Sequence, residues 1–352
     1  MIRSSKLKVG DWVEIRSPEE IRRTLDIHGR LDGMPFMPEM FESCGKRFQV
    51  YKRAHKACDT VFPTRSRRIA KAVHLNTRCD GKAHGGCQAG CLIYWKEEWL
   101  KRVDRDAPKD AAQYVELRSN GSHKQEDEFD LTNLTQRIDP LDQTTAYVCQ
   151  ATQLPYASSQ LEWWDIRQYV EDYFSGNVGL GRILRGFGYS IFYHLSQAGI
   201  GVGRPLRWLY DKVHLRWRGT QYPRKRGSIA EGATTPAEVL DLQPGELVRV
   251  KSHAEILKTL NINSMNRGMF WDAEMVPFCG QTHRVARRVT KIINEKTGKM
   301  QEMKTPCIVL EAVVCMAKYS HCRMFCPRSI YPYWREIWLE RVESPANVQR
   351  EK

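Results

Sequence analysis

Eleven cysteines are the side chains of this 352-residue chain best suited to chemistry. Four of them recur at similar spacing in each half of the chain. The first set is Cys44, Cys79, Cys87 and Cys91, and the second set is Cys279, Cys315, Cys322 and Cys326. Zinc has little geometric preference of its own, and four thiolates fill its tetrahedral shell. The two sets therefore predict two structural zinc sites, one in each half.

Other interpretations of the two cysteine sets stay open. Four thiolates also hold iron–sulfur clusters, and a free cysteine is often only a small buried apolar residue. Catalytic zinc usually keeps an open position beside three protein ligands, so a full four-cysteine shell favours a structural role. His84 and His321 lie near the cysteines in sequence but do not align with each other, which predicts a supporting or surface role for each.

Three cysteines lie outside the two sets. Cys58 precedes an acidic residue, which disfavours a thiolate, and Cys307 begins an apolar run. We expect both to be buried structural thiols. The sequence assigns no role to Cys149.

Both cysteine sets belong to an internal repeat. Residues 10–53 align without a gap onto residues 245–288, and residues 94–103 match residues 333–342. Identical pairs include Gly10/Gly245, Ser17/Ser252, Thr24/Thr259, Met40/Met275, Glu39/Glu274, Cys44/Cys279 and Arg53/Arg288. This agreement predicts a duplicated module. We call residues 1–103 the first module and residues 244–343 the second module.

The two modules diverge between their shared ends, at residues 54–78 and 289–314. Modules that share a beginning and an end are expected to share a fold. We expect these divergent stretches to be where the two modules differ in what they contact.

Each module opens with a predicted strand and a short predicted helix. Apolar residues recur at every second position in 10–16 and 245–251, which is typical of a half-buried strand. A serine with a glutamate three residues later then predicts a capped helix. These pairs are Ser17 with Glu20 and Ser252 with Glu255. Further strands are expected at 47–52, 70–75, 282–289 and 307–314, where β-branched residues concentrate. The predicted fold class is α+β.

The opening strand resembles the start of an SH3-like barrel of the KOW type, in which a glycine and a polar residue precede alternating valines. The resemblance covers residues 10–16 and 245–251. It implies two small, mainly β modules, and domains of this type often bind nucleic acid or polymerase. The whole chain is also similar to bacterial proteins with paired cysteine-rich modules, which implies no particular activity.

Each module closes with an aromatic motif. Trp95 and Trp99 lie four residues apart, as do Trp334 and Trp338. Such residues either close the core of a module or, when exposed beside arginine and lysine, stack on the bases of single-stranded nucleic acid. Acidic residues interleave both motifs, which favours the core.

Two stretches of different character separate the modules. Residues 104–157 are polar and acidic and predict a linker with some local structure. Residues 158–243 predict a helix from Ser158-Ser159 to Gly176, two further helices, and a tether at 218–236. The 18 residues between Arg185 and Arg204 lack charge but are too polar to predict a membrane span. We expect this stretch to pack against the modules; the alternative is peripheral membrane contact through 179–219.

Composition narrows the functional classes. A hydrophobic share of 41% excludes a wholly disordered chain. The net charge of +14 is concentrated on the modules: residues 1–103 carry 21 Lys and Arg against 12 Asp and Glu, and residues 244–352 carry 18 against 11. No apolar signal follows the first residues, so we expect a cytoplasmic location. Disulfides are rare in such a reducing compartment, which favours metal ligation.

The sequence contains no recognisable nucleotide-binding loop, nucleophile motif or pair of catalytic carboxylates. It therefore predicts a metal-stabilised binding or regulatory protein, without enzymatic activity, whose two basic modules contact a protein or a nucleic acid. The alternative is a metalloenzyme or iron–sulfur enzyme with a site between the modules and the middle segment.

Overall fold

The computed structural model describes residues 6–62, 64–105, 131–140, 142–199, 201–216 and 220–342. The first part of the expected linker, 106–130, lies outside these ranges, as do both ends of the chain. Within them the fold is mixed α+β, with many short strands and few helices, as the sequence predicts.

The first module consists of short elements. They are β1 (Trp12–Ile15), α1 (Pro18–Arg22), β2 (Arg30–Leu31), β3 (Met34–Pro35), β4 (Arg47–Gln49), β5 (Lys52–Arg53), β6 (Lys56–Cys58), β7 (Ser66–Arg68), β8 (Ala72–His74), β9 (Trp95–Lys96) and β10 (Leu100–Arg102). Short 3-10 helices occupy Pro38–Ser43, Lys82–His84 and Glu97–Trp99. Strand β1 pairs with β10 and β4, and β8 pairs with β5 and β9. The predicted Ser17–Glu20 capping box is present at the start of α1.

The middle segment is more ordered than the sequence predicts. After a 3-10 helix at Leu131–Leu134 it forms β11 (Gln136–Ile138), β12 (Thr145–Tyr147), α2 (Gln150–Gln153), β13 (Ser159–Leu161), α3 (Arg167–Phe174), α4 (Leu180–Gln197) and α5 (Gly203–Arg216). Leu131 and Leu154 are buried in the core of the first module, and Tyr222 is also buried. Parts of the expected linker and tether therefore pack against the modules.

One expected helix start is wrong. Ser159 begins β13, which pairs with β7 of the first module, and the helix that follows starts only at Arg167. The guanidinium of Arg67 in β7 donates to the carbonyl oxygens of Pro155 and Ser158. This pairing with a distant strand outweighs the local helix signal at Ser158-Ser159. None of the helices in the described ranges has the length and apolar content needed to cross a membrane.

The second module repeats the element order of the first. Its elements are β14 (Leu247–Val250), α6 (His253–Leu257), β15 (Met265–Asn266), β16 (Met269–Phe270), β17 (Thr282–Ile293), β18 (Met300–Leu310) and β19 (Leu339–Arg341), with 3-10 helices at Ala273–Phe278 and Glu336–Trp338. A turn at 294–299 joins β17 to β18, and the predicted capping box at Ser252 opens α6. Strand β14 pairs with β19 and β17.

The central strands of the two modules are paired in the same register. Val13 of β1 lies opposite Arg102 and Phe48. Val248, its counterpart in β14, lies opposite Arg341 and His283. All four partners stand at matching positions in the repeat, so both modules build the same three-stranded core.

The aromatic motifs close these cores. Trp95, Trp99, Trp334 and Trp338 are fully buried. The indole Nε1 of Trp99 donates to Thr24 Oγ1 at 3.0 Å, and that of Trp338 donates to Thr259 Oγ1 at 3.0 Å. The core interpretation is confirmed, and these indoles offer no exposed face for stacking on a base.

The two modules pack on each other through their divergent stretches. The backbone N–H of Cys58 donates to Cys326 Sγ at 3.0 Å, and that of Ile293 donates to Cys87 Sγ at 3.3 Å. Cys58 and Ile293 each lie five residues after the end of the aligned stretches 10–53 and 245–288. Each module thus lays its divergent hairpin over the cysteine-bearing loop of the other, with the reciprocity of a two-fold symmetric interface.

The buried tryptophans give a stability prediction. Replacing Trp99 with alanine removes a fully buried indole and its hydrogen bond, so Trp99→Ala should lower the free energy of unfolding by about 3–5 kcal/mol. The matched control Trp164→Ala removes an indole that is 61% exposed, and should change it by less than about 0.5 kcal/mol. Urea unfolding followed by far-UV circular dichroism measures both. Equal losses would contradict this assignment of the core.

A buried histidine gives a pH prediction. Burial lowers the pKa of His74 from 6.5 to about 3, and its Nδ1 lies 2.8 Å from the carbonyl oxygen of Ile93. Between pH 6.5 and about pH 3, His74 is therefore protonated in the unfolded chain and neutral in the folded protein. Stability should fall on acidification through this window, by at most about 1.4 kcal/mol per pH unit from this residue.

The measurement compares urea unfolding at neutral pH and at pH values below 6.5. The His74→Gln variant should lose less stability on acidification than the unmodified protein, because its side chain does not titrate. His28→Gln, at an exposed position, should retain the full loss. If His74→Gln shows the same acid sensitivity as His28→Gln, then His74 does not contribute to it.

Candidate metal centre

One group of side chains in the described ranges has the arrangement of a metal site. A carboxylate oxygen of Glu39, the thiol of Cys79 and a ring nitrogen of His84 all lie within 4.8 Å of one another. Ligand atoms around tetrahedral zinc are about 3.3–3.8 Å apart, given its usual bond lengths. Small side-chain movements would therefore bring the three atoms to coordinating distance.

Local structure in the first module positions these three side chains. Glu39 lies on the 3-10 helix Pro38–Ser43, and His84 ends the 3-10 turn Lys82–His84. Gly81 and Gly85 on either side of that turn have φ angles of 73° and 64°, in the left-handed region that favours glycine. A Cβ atom on Gly81 would lie 1.9 Å from the carbonyl oxygen of Cys87. The turn that presents His84 therefore requires glycine.

The tautomer of His84 leaves its second nitrogen facing Glu39. Its Nε2 lies 3.1 Å from the carbonyl oxygen of Val148, which can only accept, so Nε2 carries the hydrogen. In the neutral ring Nδ1 then holds a lone pair, and it lies 3.9 Å from Glu39 Oε1. Two buried acceptors that face each other repel unless a cation or a proton lies between them. A carbonyl behind the ring also orients metal-binding histidines in general.

The polar atoms of this group lack partners. Both carboxylate oxygens of Glu39 and the Nδ1 of His84 are buried and have no hydrogen-bond partner of normal geometry. Burial, the negative charge of Glu39 and a contact between the Cys79 thiol and that carboxylate raise the pKa of the Cys79 thiol. In the described ranges, the only polar side chains against the buried Glu39 carboxylate are this thiol and the ring of His84. Such weak compensation of a buried charge is costly, and a bound cation would stabilise both the carboxylate and a Cys79 thiolate.

The second module contains the equivalent carboxylate without this problem. Glu274, the counterpart of Glu39, accepts hydrogen bonds from the backbone of Lys318 and Tyr319 and from the hydroxyl of Ser320. Its negative charge is therefore balanced by donors of the protein. The second module has no described group like that of Glu39, Cys79 and His84.

Backbone hydrogen bonds identify the counterparts of the cysteines more directly than spacing does. Cys79 N donates to Cys91 O at 2.9 Å, and Cys315 N donates to Ile330 O at 2.8 Å. Cys87 N donates to His84 O, and Cys326 N donates to Arg323 O. These bonds give three pairs of counterparts. Cys326 corresponds to Cys87, Ile330 corresponds to Cys91, and Arg323 corresponds to His84. The loop before Cys326 is longer than the one before Cys87, which shifts the alignment suggested by spacing.

The first cysteine set is divided in space. Cys79, Cys87 and Cys91 line a cavity of about 40 Å³ together with Cys149, a residue to which the sequence assigned no role. Cys44 does not line this cavity; it ends the 3-10 helix Pro38–Ser43. Residues of the middle segment and of the second module complete the wall, among them Gln150, Glu295 and Arg328.

The second cysteine set is also divided. Cys315 and Cys326 line a second cavity, of about 160 Å³, with Cys58 of the first module. Cys279 and Cys322 are not part of its wall. Neither set forms a group within 4.8 Å in the described ranges, so the two four-cysteine zinc sites stay a prediction. Cys58 and Cys307 are buried, as expected.

Sequence reasoning missed two members of the candidate group. His84 was expected to have a supporting or surface role, but it is 1% exposed and lies within the group. Glu39 was noticed only as a residue identical in both modules. The signal that was available is the combination of an identical Glu39/Glu274 pair with a histidine that has no aligned counterpart.

Comparison with known proteins adds no relative. No family model, curated protein or solved structure matches this chain. The functional interpretation therefore depends on the geometry of the molecule.

The two equivalent glutamates give a matched prediction for protein stripped of metal by a chelator. Glu39→Gln replaces an unpaired carboxylate by a neutral amide that can donate to His84, so it should leave the free energy of unfolding unchanged or raise it by about 1 kcal/mol. Glu274→Gln places either an amide N–H₂ group or a carbonyl oxygen, a weaker acceptor than a carboxylate, against the three donors. It should lower the free energy of unfolding by about 1–3 kcal/mol. Urea unfolding with chelator present measures both. Equal losses would mean that Glu39 is held by protein donors as Glu274 is.

Proposed function

We propose that this chain is a metal-stabilised binding protein that holds one zinc ion at Glu39, Cys79 and His84 of the first module. The observation that carries the proposal is the convergence of three ligand atoms, of which those of Glu39 and His84 are buried and have no hydrogen-bond partner of normal geometry. The equivalent Glu274, satisfied by protein donors, indicates that this feature is not a general property of the fold.

The ligand types favour zinc. Sulfur, imidazole nitrogen and carboxylate oxygen together suit zinc better than the oxygen-preferring magnesium or calcium. Three protein ligands leave the fourth tetrahedral position to water. We assign the ion a structural role because it would join the 3-10 helix Pro38–Ser43 to the loop that carries Cys79 and His84. That loop is the one covered by the hairpin of the second module, through Ile293 and Cys87. Zinc bound there would therefore stabilise the interface between the modules as well as the first module itself.

We also propose that the two modules are copies of one SH3-like module. The shared strand register supports this, and so does a partly buried ion pair that recurs. Arg53 pairs with Glu97 and donates to Leu7 O. Arg288 pairs with Glu336 and donates to Leu242 O. These residues occupy the same positions in the two modules.

A protein or a nucleic acid remains the proposed partner of the basic modules. The run Arg65-Ser66-Arg67-Arg68 is not where we expect that contact, because two of its three arginines pair with acidic residues of the chain. Arg67 pairs with Asp59 and Arg68 pairs with Asp165. Binding to nucleic acid would be recognised by an affinity that falls steeply with salt.

One observation favours a different function. The thiols of Cys79, Cys87, Cys91 and Cys149 surround a single cavity at the junction of both modules and the middle segment. Four cysteines can hold an iron–sulfur cluster, which would suit the alternative of an iron–sulfur enzyme with a site between these parts. Cys79 belongs to both arrangements, so the two functions exclude each other.

Metal analysis of the purified chain separates these functions. We expect one zinc per chain and no visible absorbance. Cys79→Ser and His84→Ala should lose the metal, whereas the matched second-module variants Cys315→Ser and Glu274→Gln should keep it. Urea unfolding of the metal-loaded protein should show a chelator-sensitive stability that the first two variants lack.

Other results would replace this proposal in distinct ways. Two zinc ions per chain, lost stepwise in Cys44→Ser and Cys279→Ser, would favour the two four-cysteine sites. Iron with visible absorbance, lost in Cys149→Ser, would favour the cluster. Protein that binds no metal, and whose stability is insensitive to chelator, would show that Glu39 and His84 contact each other without a metal between them.

A further inference from the structure

The middle segment exposes an unusual amount of apolar surface. Of the 24 large hydrophobic side chains that are exposed in the described ranges, 14 fall between residues 163 and 213. Scattered exposed hydrophobic residues are normal, but a concentration on this scale marks a contact surface. The proposed metal centre lies in the first module and does not account for this feature.

Helix α4 carries large apolar side chains on its outer face as well as on its inner one, where Ile183 and Phe187 pack against Phe325. Its outer face carries Leu180, Leu184, Ile191 and Leu195, which are 50% to 63% exposed and follow helical spacing. Its buried positions are mostly small, at Gly186, Ser190 and Ser196. A helix at the surface of a protein in water normally turns its large apolar side chains inward. The outer face of α4 is therefore adapted to an apolar environment.

The small residues on the inner face have a packing reason. A Cβ atom on Gly186 would lie 2.4 Å from the ring of Phe325 in the second module. Tyr189 of the same helix packs edge-on against Tyr319, with ring centroids 5.1 Å apart. The helix thus approaches the second module closely, and its outer stripe faces away.

Helix α5 extends the same surface. Trp208, Leu209 and Val213 are 48% to 58% exposed. On its other side, Tyr210 contacts Tyr189 of α4 and Tyr222, which is buried. Both helices therefore lie against the rest of the protein through their inner faces. We call the outer faces of α4 and α5 the apolar hairpin surface.

The exposed charged side chains described on α4 and α5 are all positive. The one acidic residue of the two helices, Asp211, is half-buried and pairs with Lys225. From Phe174 to Tyr210 the sequence contains four arginines and no Asp or Glu. Arg185, Arg204 and Lys212 are exposed, and none of them forms an ion pair within the described ranges. Lys212 lies over the ring of Trp208, 4.3 Å from its centroid. Arginine, lysine and tryptophan at the margin of an apolar helix face are typical of segments that lie in a membrane interface.

We infer that the apolar hairpin surface docks on a membrane that contains anionic lipid, with α4 and α5 lying in the plane of the interface. Apolar side chains would enter the acyl region, and the arginines would contact lipid phosphates. The absence of acidic residues from Phe174 to Tyr210 is the observation that favours anionic lipid over a protein partner, since it gives one uniform charge complement. This contact is independent of the metal centre.

Vesicle flotation tests the inference with the full chain. The probes are phosphatidylcholine vesicles with and without phosphatidylglycerol. We expect binding to the anionic vesicles that is about tenfold or more stronger than to the neutral ones, and that weakens with added salt. The double variant Leu184→Glu and Leu195→Glu should reduce the partition coefficient about tenfold or more. The matched control Ile27→Glu changes a side chain that is 80% exposed on the first module, and should bind as the unmodified protein does.

Far-UV circular dichroism must be the same for all three proteins, which excludes loss of binding through unfolding. Chelator-treated protein that keeps its circular dichroism should float with the anionic vesicles too, so failure of the metal proposal would not affect this result. The inference is overturned if no vesicle is bound, or if the double variant binds as well as the control. It is also overturned if light scattering shows a dimer that the double variant abolishes and vesicles are not bound, because a second copy of the chain would then cover the surface.

Discussion

The structure depends on reciprocal contacts between the two modules, in which the divergent hairpin of each lies on the cysteine-bearing loop of the other. Each module places a backbone N–H of its divergent stretch on a thiol in the cysteine-bearing loop of the other, Cys58 on Cys326 and Ile293 on Cys87. A buried N–H must have an acceptor, and here the acceptor belongs to the other module. The cavities beside both loops are therefore completed only when the modules are together. The divergent stretches, expected to differ in what they contact, each contact the cysteine-bearing loop of the other module.

Glu39 and Glu274 occupy equivalent positions in the two modules, but their carboxylates have different surroundings. Glu274 is surrounded by backbone and hydroxyl donors of residues 318–320, whereas Glu39 faces His84 and Cys79. In the second module Arg323 occupies the backbone position of His84. Its carbonyl oxygen accepts from Cys326 N, as the carbonyl oxygen of His84 accepts from Cys87 N. One carboxylate is thus stabilised by the protein alone, and the other is left available to an added cation. The difference lies in a few residues of one loop, while the surrounding fold is alike.

Local signals in the sequence predicted the local structure well. The alternating runs gave β1 and β14, the serine–glutamate pairs gave capped helices, and the tryptophans gave the cores. Features that depend on distant pairing were missed. Ser159 belongs to a strand because β7 lies beside it. Cys149 lines the same cavity as Cys91 because α2 packs into the first module. Spacing alone also pairs Cys326 with Cys91, whereas the backbone hydrogen bonds pair it with Cys87. The loop before Cys326 is longer than the loop before Cys87, so the interval between cysteines does not identify the counterpart. The convergence of Glu39, Cys79 and His84 depends on a glycine turn whose geometry no residue pattern specifies.

The reciprocal interface has an evolutionary consequence. In a symmetric homodimer of one module, every substitution would appear twice, once in each cysteine-bearing loop, and the two loops would have to stay identical. A single chain that carries both modules is free of that constraint. It can keep histidine and two flanking glycines in one loop and place Arg323 in the other, while the shared tryptophan cores hold both in the same frame. In the proposed duplication, covalent linkage thus allows the two cysteine-bearing loops to differ while the cores that carry them stay alike.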